Sequence, residues 1–393
     1  MTIRDAYIAA RQSSLFDTRE HTLLTVIIAL AFAAVAAAVV MVMIPLVEGW
    51  ALISGHSRQL LVGGLSPDHD SRIYAHLYVV AAFGGVAWGY LGRFNALLAA
   101  VGLVLAFITL SVDGALAAKL LLLGLLGAVG VSFVVGHYLL RGWQSFGNNA
   151  GRWFGIGWIG VLIYTPVILN AFGGVPISAL GGFYLNVMLA MGIVSAATPI
   201  GLLLALGATP GMSPRPVRFL ARIYIDIVRG LPLLPLLIFA FLIDDSVLSK
   251  FGVPAIDPLY RIAAVFTMFT GAYIAVGLHS SIVAVPIGQI EAARTLGLTK
   301  LQIWTRIILV QALRPVVPFL LSQFTNVLAA TSLVALVGQT DLLGAALGMM
   351  EDSRFAGYQP QLLFIVATMF WLAALILTRA SRRLEQWLGQ GAA

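Results

Sequence analysis

The sequence predicts an all-α integral membrane protein with about ten spanning helices. Charged residues make up only 10% of the chain, against roughly a quarter in soluble domains. Mean hydropathy is +0.97. Apolar runs close to the 20 or so residues needed to cross hydrocarbon fall at 22–45, 73–92, 95–112, 116–140, 153–171, 182–206, 226–243, 260–279, 315–338 and 361–380. A folded core cannot enclose so much apolar surface, so lipid must cover it.

The first run, which follows Arg19, exceeds the roughly 7–15 residues of a signal-peptide core and is expected to be a retained span. Lysine and arginine set the orientation. With the N-terminus inside, ten spans put 17 of the 23 basic residues on the inner side, and both termini in the cytoplasm. The net charge of +7 is then an orientation signal rather than a nucleic-acid surface, since no basic stripe interleaved with aromatics occurs. The absence of cysteine removes disulfides, thiol catalysis and cysteine–metal sites. His76 and His137 have no metal-ligand spacing around them and read as structural.

Two long segments interrupt the spans. The outer one, 46–72, carries Gly63-Gly64, Pro67 and Asp68-His69-Asp70. The inner one, 280–314, is polar yet helical in pattern, and is where a soluble partner would grip. Within it, Pro286 and Gly288 interrupt a helix, Glu291-Ala292-Ala293 begins another, and Gly297 permits a sharp turn between two short helices. The two alanines leave room for another protein to approach. Glu291, placed near a helix start, suits the dipole and a basic partner.

This stretch, from Val285-Pro286-Ile287-Gly288-Gln289 through Gly297 to Ile307, Leu309 and Gln311-Ala312-Leu313-Arg314, resembles the EAA loop of binding-protein-dependent ABC importer permeases, polar amino acid branch. Val310 stands where that family usually has proline. Further resemblance lies in 224–234, 269–275 and 331–343, so likeness covers roughly 180–388. Residues 1–175 have no such match, although long permeases of the general L-amino acid type share the plan.

The resemblance implies a type I ABC permease five-helix core at 180–388, preceded by about five extra transmembrane helices in an accessory region, 1–175. It implies a coupling loop, 280–314, in which Gly288, Glu291, Ala292, Ala293, Gly297, Ile307 and Leu309 meet an ABC ATPase dimer. Other implied partners are a second, unlike permease subunit and a periplasmic substrate-binding protein. An amino acid would be imported across a bacterial inner membrane by alternating access. No G-x-x-x-x-G-K-[ST] signature is present. The chain is therefore expected to be no enzyme and to hold no cofactor, with ATP–Mg on the separate ATPase. An ion-coupled secondary transporter and a non-transporting assembly subunit are the alternatives.

Asp226 and Arg229, three apart on a helix, suit a local ion pair, and by family likeness an inner gate. Thr270 and Tyr273 are candidates to face a substrate cavity. So are Ser322, Gln323, Asn326, Thr331 and Ser332, whose polarity within one span must face the bundle or water rather than lipid. Helix–helix hydrogen bonding is the competing role. Val276, Ala329 and Ala330 replace positions where the family often carries charge, and His279 stands where arginine is common. These departures suggest that an unlike partner holds the substrate's charged groups.

Overall fold

The computed structural model describes residues 25–28, 30–31, 52–53, 55–64, 70–91, 116–140, 179–243, 245–250, 252 and 254–387. The expected spans at 95–112 and 153–171, and most of that at 22–45, lie outside them. Among the described residues there is no β-strand; a single bridge joins Gly182 to Asp341.

The helices are α1 (Ser57–Val62), α2 (Asp70–Leu91), α3 (Leu116–Val134, continued by a π turn to Leu140), α4 (Gly182–Ala208), α5 (Arg215–Gly230) and α6 (Leu233–Leu242). After a short α7 (Asp245–Lys250) come α8 (Pro258–Val283), α9 (Ile287–Thr295), α10 (Lys300–Ile303), α11 (Leu309–Ala330), α12 (Leu342–Met350) and α13 (Gln359–Trp387). Among the described residues, four helical stretches are long and apolar enough to cross a membrane: Gly182–Ala208, Pro258–Val283, Pro318–Val337 and Gln359–Arg382.

The expected straight span at 226–243 is corrected. The chain instead forms α5 and α6, bent by 94°. Pro232 causes the break: it bars the preceding residue from helical geometry, and Leu231 is extended with ψ 141°. The ninth expected span also changes form, because α11 tightens into a 3-10 turn over Thr331–Val337, ending at left-handed Gly338.

α4 and α8 are the centre of the bundle. They approach closely because Gly201 meets Ile274, where any larger residue would collide, and Gly271 meets Ile200, where a Cβ would be a tight fit. Around them Leu185, Ile193, Leu237, Ile262, Phe266, Val327 and Val334 form the main core. Asp257 caps α8 by accepting from the Leu259 amide at 2.8 Å, with Pro258 at the first helical position. Glycines also bring α2 and α3 together, at Gly85, Gly89, Gly124 and Gly136. His76 and His137 fill structural roles: buried His76 stacks edge-on to Tyr184, and His137 stacks on Phe133.

At the end of the bundle opposite α9, residues 52–53 and 55–64 are built into the core. Ile53 and Leu60 pack with Leu342, Met349, Phe355 and Leu362. The backbone of Gly63 lies against Gly181, and Gly182, with φ +58°, is pressed against the backbone of Leu60–Val62. A Cβ on Gly182 would come within 2.6 Å of the Leu60 carbonyl oxygen. Gly182→Ala therefore combines a left-handed backbone penalty with a collision. It is expected to destabilise the protein by more than about 2 kcal/mol, read as a lowered melting temperature in detergent.

Candidate functional site

The segment between α8 and α11 is an elbow whose shape follows from its sequence. Pro286 starts α9. The helix ends in a Schellman motif: the Gly297 amide donates to Arg294 at 3.0 Å and the Leu298 amide to Ala293 at 3.1 Å. That closure requires a left-handed residue, and Gly297 supplies it with φ +76°. Thr299 then opens α10 with a capping box, accepting from the Gln302 amide at 3.3 Å while the Gln302 side chain accepts from the Thr299 amide at 2.9 Å. Ile282, Val285, Ala293, Ile303, Ile308 and Ala312 form a small core of their own under the elbow. Gln311 donates to Gln289 at 2.5 Å, tying α9 to the start of α11.

The expected coupling residues divide between two faces. α9 begins at Ile287, so Glu291 lies in its second turn and not near the start; the dipole argument for it fails, although its side chain is exposed. Ala292 is exposed, but Ala293 is 2% exposed and belongs to the elbow's core, so it cannot meet a partner. Ile307 packs against that core, and Leu309 is half-buried. Gly288 and Gly297 have open space where a Cβ would stand. The sequence reading missed the apolar residues: Ile287, Leu296 and Leu301 are 67%, 81% and 73% exposed. With no neighbour to collide with, Gly297→Ala meets only the backbone penalty, about 1–2 kcal/mol. A modest fall in thermal stability with the spans intact is the expected result.

The expected pair at Asp226 and Arg229 is not formed. The Arg229 guanidinium lies 5.2 Å from the centre of the Tyr273 ring, and the Tyr273 hydroxyl donates to the Arg229 carbonyl at 3.5 Å. The ring face attracts the cation, so the junction of α5 and α6 is held to α8.

Thr331, expected to face a cavity, is fully buried instead. Its hydroxyl donates to the Leu328 carbonyl at 2.6 Å and accepts from Asn186 at 3.0 Å. Asn186 also donates to Asp341 at 2.8 Å and accepts from the Leu342 amide at 3.0 Å. Asp341 caps α12 through the Gly344 amide at 2.9 Å. Burial pushes the Asp341 carboxyl above its ordinary pKa; the hydrogen bonds from Asn186 and Gly344 oppose that shift. Neither Asn186 nor Asp341 stands out in the sequence, except that an aspartate before an apolar helix is a capping signal. Thr270 is likewise buried, and Ser332 donates to the Ala329 carbonyl at 2.8 Å.

Ser322 and Asn326 do face a cleft, of about 290 Å³, between α11 and α13. Thr325, not the expected Gln323, joins them, and Thr378, Arg382 and Glu385 line the opposite wall. At its edge Ser381 donates to the Pro318 carbonyl at 3.2 Å, fixing the two helices. No α8 residue lines this cleft, so Thr270, Tyr273 and Asn326 do not converge. Among the described residues no cluster has metal-binding composition.

Comparison with known proteins covers the part of the chain that holds the elbow. The family described as "Binding-protein-dependent transport system inner membrane component" matches residues 197–390. The probable glutamine ABC transporter permease protein GlnP of Bacillus subtilis is 31% identical over 170 residues, 42% of this chain and 74% of that one. The chain belongs to this family. It is accordingly a multi-pass membrane protein of the permease kind.

Two other relatives match over a similar stretch. The glutamate/glutamine/aspartate/asparagine transport system permease protein BztC of Rhodobacter capsulatus is 34% identical over 212 residues, 53% of this chain and 47% of the relative. The amino-acid ABC transporter permease protein YhdY of Escherichia coli is 31% identical over 211 residues, 54% of this chain and 56% of the relative. The chain spans about half the length of these two proteins. α1, α2 and α3 precede the family match.

Proposed function

We propose that the chain is the permease subunit of an ATP-driven amino-acid importer and works by alternating access. The observation that carries the reading is the elbow at 284–308, which offers an exposed apolar face on a turn fixed by a Schellman motif and a capping box. A soluble ATPase dimer, holding ATP–Mg, seats on that face and moves it. The elbow is rooted directly in α8 and α11, so its displacement passes to both. Amino acids are favoured as cargo because the permeases GlnP, BztC and YhdY are named for amino acids.

The remaining parts follow from this role. The five-helix core has the type I plan and pairs with an unlike second permease, and a periplasmic binding protein delivers substrate. The chain sits in a bacterial inner membrane with both termini in the cytoplasm, α9 inward and α12 outward. Residues 1–175 supply about five further spans; of these residues, 52–53 and 55–64 serve the core itself. Gentle detergent extraction and copurification tests the assembly. An ABC ATPase should come with the chain in a stable complex. Recovery without any ATPase, from cells that express it, would overturn the reading.

A further inference from the structure

The cleft between α11 and α13 holds two charges of opposite sign that do not serve each other. Arg382 and Glu385 lie one turn apart on the same face of α13. Among the described residues neither takes part in an ion pair. The polar groups above them are also unusual in position. Ser322 and Asn326 lie in the span Pro318–Val337, and Thr378 in the span Gln359–Arg382, yet all three side chains are exposed. Lipid against that surface would leave hydroxyl and amide groups without partners, which is costly in hydrocarbon. The cleft must therefore face water, protein or a polar ligand.

We infer that this cleft is a binding station for the main-chain groups of an α-amino acid, with Arg382 taking the carboxylate and Glu385 the ammonium. The inference rests on the proposed importer role and adds to it the site and the part of the substrate recognised. A zwitterion brings two opposite charges held one carbon apart, and the two side chains present the complementary pair at one-turn spacing. The cleft volume of about 290 Å³ lies just below the roughly 300–1,000 Å³ of drug-sized ligand pockets, room for a ligand as small as a single amino acid. Ser322, Thr325, Asn326 and Thr378 add uncharged donors and acceptors that suit many side chains. The station thus selects the zwitterion and not a particular side chain. It also supplies the charges missing at Val276, Ala329 and Ala330, so the substrate's ends need not be held by the other permease alone.

The test uses the assembled complex in vesicles and a mixture of the twenty radiolabelled L-amino acids. Arg382→Gln and Glu385→Gln are each expected to assemble with the ATPase and to lower uptake about tenfold or more, the worth of one charge-assisted hydrogen bond. Since the chain has no cysteine, Thr378→Cys places a single reporter in the cleft. The amino-acid mixture should slow its modification by a charged thiol reagent, and the corresponding decarboxylated amines should not. This second readout keeps both charged residues in place and so does not depend on those variants folding. Undiminished uptake by both charge variants, or labelling of Thr378→Cys indifferent to amino acids in a complex that imports them, would overturn the station while leaving the importer role standing. A wild-type complex that imports none of the mixture would instead overturn the importer role itself, and the station with it.

Discussion

Replacing both Leu296 and Leu301 by aspartate is expected to detach the permease from its ATPase without unfolding it. Both side chains are exposed, at 81% and 73%, so neither contributes to the core under the elbow. That core is made by Ala293, Ile303 and Ile308, facing the other way. Anchor residues buried at an interface commonly carry about 2 kcal/mol or more each. Two charges in their place should weaken association about 100-fold or more. Affinity of the purified permease for its ATPase measures this directly, with melting temperature as the control for folding. Unchanged affinity would mean that the elbow docks through another face. Loss of both affinity and thermal stability would mean that the leucines support the fold.

Asn186→Leu is expected to have the largest effect on stability. The side chain satisfies Thr331, Asp341 and the Leu342 amide at once. Leucine of similar volume would strand the Leu342 amide and take one bond each from Thr331 and Asp341, which keep Leu328 and Gly344, in a buried site, at a cost of about 3 kcal/mol or more. The loss should depend on pH in a defined sense. Removing Asn186 takes away a bond that lowers the Asp341 pKa, so the folded-state value rises further above the unfolded one. A carboxyl with a raised folded pKa favours folding most when protonated. Its contribution falls as pH climbs from the ordinary carboxylate range through the raised value. The variant's deficit should therefore be smaller in mildly acidic than in neutral buffer, as read by thermal unfolding in detergent. A deficit that grows on acidification would contradict this account of Asp341.

Local chemistry made the elbow legible in the sequence. Proline and glycine act over a few residues, and each did what its type dictates at Pro286 and Gly297, whereas the Thr299–Gln302 box was not read. The expected spans at 182–206, 260–279, 315–338 and 361–380 were legible because hydrophobicity over a full crossing length is a strong signal. Three-dimensional side-chain placement was not. Ala292 and Ala293 are alike in sequence, but one turns outward and the other inward, which depends on how α9 lies over Ile282 and Ala312. The bend at Leu231-Pro232 was missed because α6 alone is strongly apolar, while α5 mixes arginines with apolar residues and belongs to no single run. The Asn186–Thr331–Asp341 network joins positions about 150 residues apart, and no periodicity reports such a pairing. Arg382 and Glu385 were legible only as flanking charges until the cleft between α11 and α13 gave them a common face.

ATP-driven uptake in vesicles tests the central claim most directly. The wild-type complex, with its ATPase inside and its binding protein outside, should accumulate radiolabelled L-amino acids only when ATP is present in the lumen, and the Leu296→Asp/Leu301→Asp permease should accumulate none. Accumulation driven by an ion gradient by the chain alone, without ATPase or nucleotide, would contradict the account.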